Sequence, residues 1–295
     1  MPEDNGMLPS EKFAHIQKKM FDIPYASLSP AQKLDIYLPE AGQGPYPAIL
    51  SIHGGAFRFG DKRDEQILPM LEGLPRGYAV VSMNYRMSAE AKFPALVHDV
   101  KAALRWMRAH AVEWDLDPAR IAAWGGSAGG YQAAMAGVSC GISVLEDLSL
   151  GYPDQNSCVQ AVVDWFGPTD FLKMDEQLVE TGFPPTLEYA HSGEKSPESL
   201  LLGAKITIVP ELVKVANPET YITPGAPPFM IQHGTLDDVV PYPQSVNFAS
   251  KLAANLGADQ VILDLLPGAR HADPQFGSSQ NLAKVFAFLD QYLKG

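Results

Sequence analysis

Residues 121–129 read Ile121-Ala122-Ala123-Trp124-Gly125-Gly126-Ser127-Ala128-Gly129 and lead into a run of mostly small residues, 131–138. The apolar start predicts a buried β-strand and the small-residue run predicts a helix, so Ser127 falls on the turn between them. Glycines two positions before and after the serine allow a sharp turn. A helix that begins there directs unpaired amides and its positive dipole end toward the hydroxyl. The stretch therefore predicts a strand–turn–helix unit that presents Ser127 as a nucleophile.

Short apolar runs alternate with longer helical patterns along the chain. This alternation is typical of βαβ units, and strands that are apolar on both faces require helices on both sides of a parallel sheet. The fold class is therefore α/β, with a mostly parallel central sheet and helices on both faces. Residues 34–38 alternate in polarity, which predicts a more exposed, antiparallel edge strand. The predicted strands are Leu34–Leu38, Ala48–His53, Ala79–Asn84, Ile121–Trp124, Val159–Trp165, Phe229–His233 and Val261–Leu266.

Three further segments have helical periodicity. An apolar stripe follows Pro94, and the other helices are predicted over Tyr242–Leu256 and Leu282–Leu293. No internal repeat or linker divides the chain, which predicts a single domain over residues 1–295. The longest stretch without a predicted strand is 171–227. Long excursions are often functional, so this stretch is a candidate partial lid, and a surface excursion without a catalytic role is the alternative.

The charge balance argues against two kinds of partner, nucleic acid and an anionic membrane surface. The 295 residues include 22 Lys and Arg against 34 Asp and Glu, giving a formal charge of −12. A nucleic-acid-binding protein needs a basic stripe, and an anionic membrane surface attracts basic segments, so neither partner is expected. Residues 1–20 are polar and lack a signal-peptide pattern, and no run of about 18 apolar residues occurs. We expect a cytoplasmic protein as the sequence stands, or a secreted one if a leader has been removed.

The chain has two cysteines, Cys140 and Cys158. They are too few for a disulfide scaffold or a paired-cysteine metal site. Two free thiols are the favoured interpretation, and one local disulfide is the alternative.

A serine hydroxyl needs a base, and the sequence offers seven histidines. His271 fits best, because it lies in a loop between a predicted strand and the last helix. His191, in the 171–227 excursion, is the rival. His53 closes a strand and is expected to anchor its loop.

The third group should be a carboxylate that orients the imidazole. Asp237 and Asp238 follow the buried strand 229–233, and Asp237 is favoured. The order Ser127, Asp237, His271 is that of an α/β-hydrolase.

A fourth element, His53-Gly54-Gly55-Ala56-Phe57, follows another predicted strand. Glycines let a backbone approach a reacting carbonyl, and amides placed there stabilise the oxyanion. The expected donors are the amides of Gly55 and Ala56, with Gly54 as an additional candidate, together with Ala128.

Taken together, the chain resembles carboxylesterases of the α/β-hydrolase fold, in the hormone-sensitive-lipase-like group and close to its bacterial feruloyl and acetylxylan esterase-like branch, BD-FAE. The resemblance covers most of the chain. It departs at Ala56, where lipase-like relatives carry a third glycine. The residues that carry it are 32–39, 53–55, 84–86, 117–121, 125–129, 165–170, 227–228, 233–237 and His271.

This resemblance implies ester hydrolysis through an acyl-enzyme, without a metal or organic cofactor. The implied substrates are small-molecule or polysaccharide-linked esters with short-chain, acetyl or feruloyl groups. Phe57, Tyr131 and Trp165 are candidate substrate-binding walls, and core positions are the alternative for each. The sequence leaves a monomer or a homodimer open.

Two other functions remain as alternatives. One is a peptidase or amidase related to the prolyl oligopeptidases, which usually carry an additional gating domain. The other is a non-catalytic receptor with a hydrolase fold, although such proteins usually lack one of the three catalytic groups.

Overall fold

The computed structural model describes residues 8–295, which form one eight-stranded sheet with helices on both faces. Residues 1–7, part of the polar N-terminus discussed above, lie outside the described residues. The strand order is β1-β2-β4-β3-β5-β6-β7-β8. The strands are β1 (Lys19–Pro24), β2 (Lys33–Tyr37), β3 (Tyr46–Ile52), β4 (Ala79–Met83), β5 (Leu116–Gly126), β6 (Ala161–Trp165), β7 (Phe229–Gly234) and β8 (Val261–Leu266).

Strands β3 to β8 run parallel, whereas β1 and β2 are antiparallel to their neighbours. This order brings the carboxyl ends of β3, β5, β6, β7 and β8 to one edge of the sheet. The helices are α1 (Leu68–Leu71), α2 (Ala95–Ala109), α3 (Ala128–Val138), α4 (Met174–Glu180), α5 (Pro197–Leu202), α6 (Pro210–Ala216), α7 (Pro243–Leu256) and α8 (Ser279–Leu293).

The core consists of two hydrophobic clusters, one on each face of the sheet. One cluster contains the apolar faces of α2, α3 and α7, and the other contains those of α1 and α8. The predicted α/β class with helices on both faces is therefore confirmed. None of the helices formed by residues 8–295 is long and apolar enough to span a bilayer.

The prediction for residues 34–38 is half wrong. Strand β2 is antiparallel, but β1 pairs with its outer side, so β2 is not the edge of the sheet. It is also largely buried, including Asp35, whose carboxylate pairs with Arg63 at 2.9 Å. The charged Asp35 in an alternating strand suggested an exposed strand. Its ion-pair partner Arg63 lies 28 residues further along the chain, so the local sequence pattern could not predict the pairing.

Residues 171–227 form α4, α5, α6 and short 3-10 turns, without a strand. The segment is docked on the main core, because Phe171, Leu201 and Val213 belong to the same hydrophobic cluster as α2 and α3. It leads from the carboxyl end of β6 to the start of β7.

The two cysteines form a disulfide, Cys140–Cys158, so the preference for free thiols is wrong. The bond joins the end of α3 to the segment that enters β6. Both elements are fixed by the sheet, which brings the two residues together across a sequence separation of 18.

Candidate active site

Ser127 occupies the turn between β5 and α3 with φ 55° and ψ −122°. L-residues rarely adopt this conformation, and it persists only where the surrounding structure enforces it. A Cβ on Gly129 would lie 2.0 Å from the carbonyl oxygen of Ile52, and one on Gly125 would lie 2.4 Å from the backbone of Gly129. The two flanking glycines thus allow β3, β5 and α3 to meet at the serine.

Three side chains from three strand ends meet at this turn. The Oγ of Ser127 lies 3.0 Å from Nε2 of His271, and Nδ1 of His271 lies 2.8 Å from Oδ2 of Asp237. Because the Asp237 carboxylate only accepts, Nδ1 carries the proton and Nε2 is free to accept the Ser127 hydroxyl hydrogen. The arrangement can therefore withdraw a proton from the hydroxyl.

Asp237 is held as an anion. Its side chain is buried, and its Oδ1 accepts hydrogen bonds from the amides of Val239 and Val240 at 2.9 and 2.8 Å. Burial alone would raise the pKa of Asp237, but the hydrogen bonds from His233 and His271 lower it below its usual value. The neighbouring Asp238 instead pairs with Arg270 at the surface, 2.8 Å away.

Neither His53 nor His191 contacts Ser127. His53 is buried, stacks on Tyr85 and lies with Nδ1 2.8 Å from the carbonyl of Gly54, consistent with its expected role as an anchor. His191 lies with Nε2 3.0 Å from the carbonyl of Val239, in the loop that carries Asp237.

The backbone after β3 turns toward Ser127. The position of a Cβ on Gly54 would be 3.2 Å from Cβ of Ser127, and Gly55 and Ala56 follow with φ 117° and 53°. Within residues 8–295, the amides of Gly55, Ala56 and Ala128 donate to no backbone acceptor. The amide of Gly54 donates to Oε1 of Gln66 at 2.7 Å, so the expectation of a third free donor from this loop is wrong.

Two of the three candidate substrate walls are core residues. Phe57 is 2% exposed and Tyr131 is 0% exposed, and their rings pack edge to face at 5.4 Å. The hydroxyl of Tyr131 donates to the carbonyl of Ala216 in α6 at 2.8 Å. Both therefore attach the 171–227 segment and the loop 53–57 to the core, and neither lines the cavity that Trp165 lines.

Trp165, the third candidate, lines a cavity of about 560 Å³ whose lining includes Gly126 and Ala272, the sequence neighbours of Ser127 and His271. Gly126, Phe166 and Ala272 connect this cavity to the site, since the Phe166 ring lies 4.8 Å from the ring of His271. Phe276 completes an aromatic floor, and the segment 65–72 forms the opposite wall.

Sequence reasoning missed Gln66, His233 and Phe166. Gln66 lies in no motif, and Phe166 and His233 lie in the stretches 165–170 and 233–237 that carry the resemblance, but no site role was predicted for either. His233 is fully buried and contributes to the site by placing Nε2 3.2 Å from Oδ2 of Asp237. A histidine four residues before the favoured carboxylate was the only local signal available.

No group of three or more histidine, cysteine, aspartate or glutamate side chains in residues 8–295 has a geometry suited to a metal ion.

Comparison with known proteins agrees with this arrangement. The sequence model of the BD-FAE family matches residues 34–252, which is well over half of the chain. The chain belongs to the BD-FAE family. Residues 210–295 of this BD-FAE member also match the prolyl oligopeptidase family. The second match covers β7, β8 and α8 and includes both Asp237 and His271.

A curated relative is the probable carboxylic ester hydrolase LipM of Mycobacterium tuberculosis. It is 32% identical over 278 residues, which cover 90% of this chain and 61% of LipM. The BD-FAE member thus spans less than two thirds of the length of this relative.

Two solved structures are also similar. One is a bifunctional GH43-CE protein of Bacteroides eggerthii, with a TM-score of 0.82 and 34% identity over 93% of this chain and 35% of that chain. The other is a truncated carbohydrate esterase from gut microbiota, with a TM-score of 0.81 and 31% identity over 100% of this chain and 99% of the other. The fold of this BD-FAE member is that of an α/β-hydrolase.

Proposed function

We propose that this chain is a serine carboxylesterase that hydrolyses esters through an acyl-enzyme. The observation that carries the proposal is the continuous path from Asp237 through His271 to Ser127, with contacts of 2.8 and 3.0 Å, at a strained turn beside unpaired amides. Relatives named as esterases support ester substrates.

In the first half of the reaction, Oγ of Ser127 bonds to the ester carbonyl carbon while its proton passes to Nε2 of His271. The imidazolium that forms is stabilised by the carboxylate of Asp237. Nε2 then returns the proton to the leaving alcohol oxygen as the carbon–oxygen bond breaks. The products of this half are the free alcohol and an acyl group on Ser127.

The negative charge that develops on the carbonyl oxygen requires donors. The amides of Gly55, Ala56 and Ala128 are assigned this role, and each such donor stabilises the transition state by about 3 to 4 kcal/mol. Ala56 can replace the third glycine of lipase-like relatives because its backbone amide, not its side chain, donates the hydrogen bond to the oxyanion.

In the second half, a water molecule takes the place of the alcohol. His271 removes a proton from the water as its oxygen bonds to the acyl carbon. The proton then returns to Oγ of Ser127, and the carboxylic acid leaves. The free serine is regenerated without a cofactor.

The substrate class follows from the cavity and the relatives. A space of about 560 Å³ lies in the usual range for small-ligand pockets, and its floor of Trp165, Phe166 and Phe276 suits an apolar or aromatic group. One solved neighbour is described as a carbohydrate esterase from gut microbiota, and the other as a bifunctional GH43-CE protein. We therefore assign short-chain acyl, acetyl or feruloyl esters, including those linked to polysaccharides, as substrates.

The disulfide is relevant to the cellular compartment in which the protein resides. Disulfides persist in oxidising compartments and are rare in a reducing cytosol. Of the two locations left open by the sequence, the Cys140–Cys158 bond favours export.

The decisive experiment compares wild type with Ser127→Ala on p-nitrophenyl acetate and butyrate. We expect turnover to fall by about 10⁴-fold or more, because the nucleophile is lost while the fold is kept. Ser143→Ala, at an exposed serine, is the matched control and should keep wild-type turnover. Near wild-type activity in Ser127→Ala would refute the assignment.

Assays on the same wild-type protein distinguish the two alternative functions, an amidase or peptidase and a non-catalytic receptor. The match of residues 210–295 to the prolyl oligopeptidase family is the observation that favours an amidase or peptidase. Turnover of prolyl p-nitroanilides above that of esters would support it. Failure of a fluorophosphonate to label Ser127 in folded protein would instead support a non-catalytic receptor. An ester panel from acetate to octanoate, methyl ferulate and acetylated xylan then defines the acyl preference.

A further inference from the structure

His191 is a buried histidine outside the catalytic geometry. It lies between α4 and α5 in the 171–227 segment and is 8% exposed. Its backbone amide and that of Ser192 donate to the two carboxylate oxygens of Asp175 on α4, at 2.7 and 2.8 Å. The position of the imidazole is therefore fixed by the fold of the segment.

Both ring nitrogens of His191 face groups that can only accept. Nε2 lies 3.0 Å from the carbonyl oxygen of Val239, and Nδ1 lies at ion-pair distance, 3.0 Å, from Oε1 of Glu198 on α5. A neutral imidazole has a single N–H and would leave one of these contacts as two opposed lone pairs. The imidazolium donates Nε2–H to the carbonyl and places its positive charge beside the carboxylate, which Nδ1 meets at ion-pair distance without hydrogen-bond geometry.

The two histidines that contact Asp237 differ in this respect. His233 faces the carbonyl of Val240 on one side and the hydroxyl of Ser245 on the other, at 2.8 and 2.7 Å. His271 likewise has a hydroxyl partner in Ser127. A hydroxyl can donate as well as accept, so both of these rings can be satisfied while neutral.

The charges around His191 support the same conclusion. Burial would lower the pKa of His191, but the carboxylates of Glu198 and Asp175 outweigh it and raise the pKa above its usual value of 6.5. Glu198 is itself 3% exposed, so the pair is shielded from water. On the side of the Asp237 loop, Asp237 is engaged by His233 and His271, and Asp238 by Arg270.

The Val239 peptide links His191 to the catalytic geometry. Its carbonyl accepts from His191, and its amide donates to Oδ1 of Asp237 at 2.9 Å. The next amide, that of Val240, donates to the same oxygen. A movement of this peptide would therefore change the orientation of the carboxylate that holds His271.

We propose that His191 is a positioning residue for the reaction, whose imidazolium joins the 171–227 segment to the Val239 peptide and so sets the orientation of Asp237. This proposal rests on the proposed function, since it assigns His191 a role in the same site. When His191 loses a proton at high pH, its ring keeps a single N–H and can hold only one of its two contacts, the one with the Glu198 carboxylate or the one with the Val239 carbonyl. Release of Val239 lowers the rate of the chemical step.

The test is the pH profile of Glu198→Gln. The glutamine amide can donate to Nδ1, so a neutral His191 keeps Nε2–H on Val239 at every pH. In wild type, we expect kcat on p-nitrophenyl acetate to fall about tenfold from its maximum as His191 loses its proton, with KM unchanged. In Glu198→Gln, this alkaline fall should be absent. Glu113→Gln, which alters an exposed His–Glu pair on His110, is the matched control and should retain the wild-type profile.

A second measurement does not depend on activity. The ¹⁵N NMR spectrum of wild type, with His191 assigned by comparison with His191→Gln, should show both ring nitrogens protonated at pH 7. A neutral His191 at that pH, or superimposable pH profiles for wild type and Glu198→Gln, would overturn the proposal. If wild type is neither labelled by a fluorophosphonate nor active on any ester, the proposed function fails instead. The NMR result still decides the charge of His191 in that case.

Discussion

The side-chain oxygen of Gln66 lies 2.7 Å from the backbone nitrogen of Gly54, at the start of the loop that supplies the candidate oxyanion donors. Asp64 fixes the orientation of this glutamine, because its carboxylate accepts from both the backbone amide and the side-chain Nε2 of Gln66, at 2.9 and 2.8 Å. Gln66 thus occupies the amide of Gly54, whereas the amides of Gly55 and Ala56 have no backbone acceptor within residues 8–295.

Replacement of this glutamine tests its influence on the loop. In Gln66→Met, Gly54 loses its acceptor and the loop becomes less ordered, so we expect kcat on p-nitrophenyl acetate to fall about tenfold. Gln291→Met, at an exposed glutamine on α8, is the matched control. Equal kcat values for the two variants would show that the Gly54 contact has no part in the reaction.

The close approach at the serine turn predicts a large stability effect. In Gly129→Ala, the new Cβ would lie 2.0 Å from the carbonyl oxygen of Ile52, and the atoms it meets are backbone atoms of β3. We expect the free energy of unfolding in urea to fall by about 3 kcal/mol or more, or no folded protein to be recovered. Gly225→Ala, whose nearest atom is 3.9 Å away, should stay within about 0.5 kcal/mol of wild type. Comparable stability of the two variants would contradict the packing described here.

Asp164 predicts a pH-dependent stability. Burial raises the pKa of this β6 carboxyl to about 7, although a hydrogen bond from the amide of Gly167 lowers it. In the unfolded chain the group ionises near 3.8, so between pH 4 and 7 ionisation favours the unfolded state and this group progressively destabilises the native protein.

Asp164→Asn cannot ionise, so its stability relative to wild type should rise by about 3 kcal/mol between pH 4.5 and 7.5. Urea unfolding at the two pH values measures this difference. Asp154→Asn, at an exposed aspartate, is the control, because water solvates its side chain in both states. A difference between Asp164→Asn and wild type that stays constant with pH would disprove the expected titration.

The disulfide should stabilise the chain without affecting the chemistry. Closure of a loop with a sequence separation of 18 restricts the unfolded chain, and its removal costs about 3 kcal/mol. The double variant Cys140→Ser/Cys158→Ser should therefore unfold at lower urea concentration than wild type while its kcat is retained. Dithiothreitol should lower the stability of wild type and leave the variant unchanged. Two free thiols in unreduced wild type, measured by mass spectrometry after alkylation, would contradict the bond.

Local pattern was sufficient for most of the sheet. Seven of the eight strands were predicted: six from apolar runs, because a strand covered on both faces must be continuously apolar, and β2 from its alternating polarity. Strand β1 was missed, since Lys19–Pro24 alternates between half-buried and exposed positions and resembles a polar terminus. Strand β5 begins at Leu116, earlier than the predicted Ile121. Its residues 117–120 are half-buried or exposed, and its register with β3 shifts between Tyr46 and Ala48, so the apolar run marks only the second half of the strand.

The sequence by itself determined the strand–turn–helix around Ser127 and the order of the three catalytic candidates. Both depend on residues that are neighbours in the chain, or on loops that must follow parallel strands and therefore gather at one edge of the sheet. Tertiary structure alone decided that Gln66 occupies the amide of Gly54, that Tyr131 and Phe57 are core, that the cysteines pair, and that His191 faces two acceptors. These contacts join residues of different elements and loops, and their geometry depends on how those elements pack rather than on any local pattern.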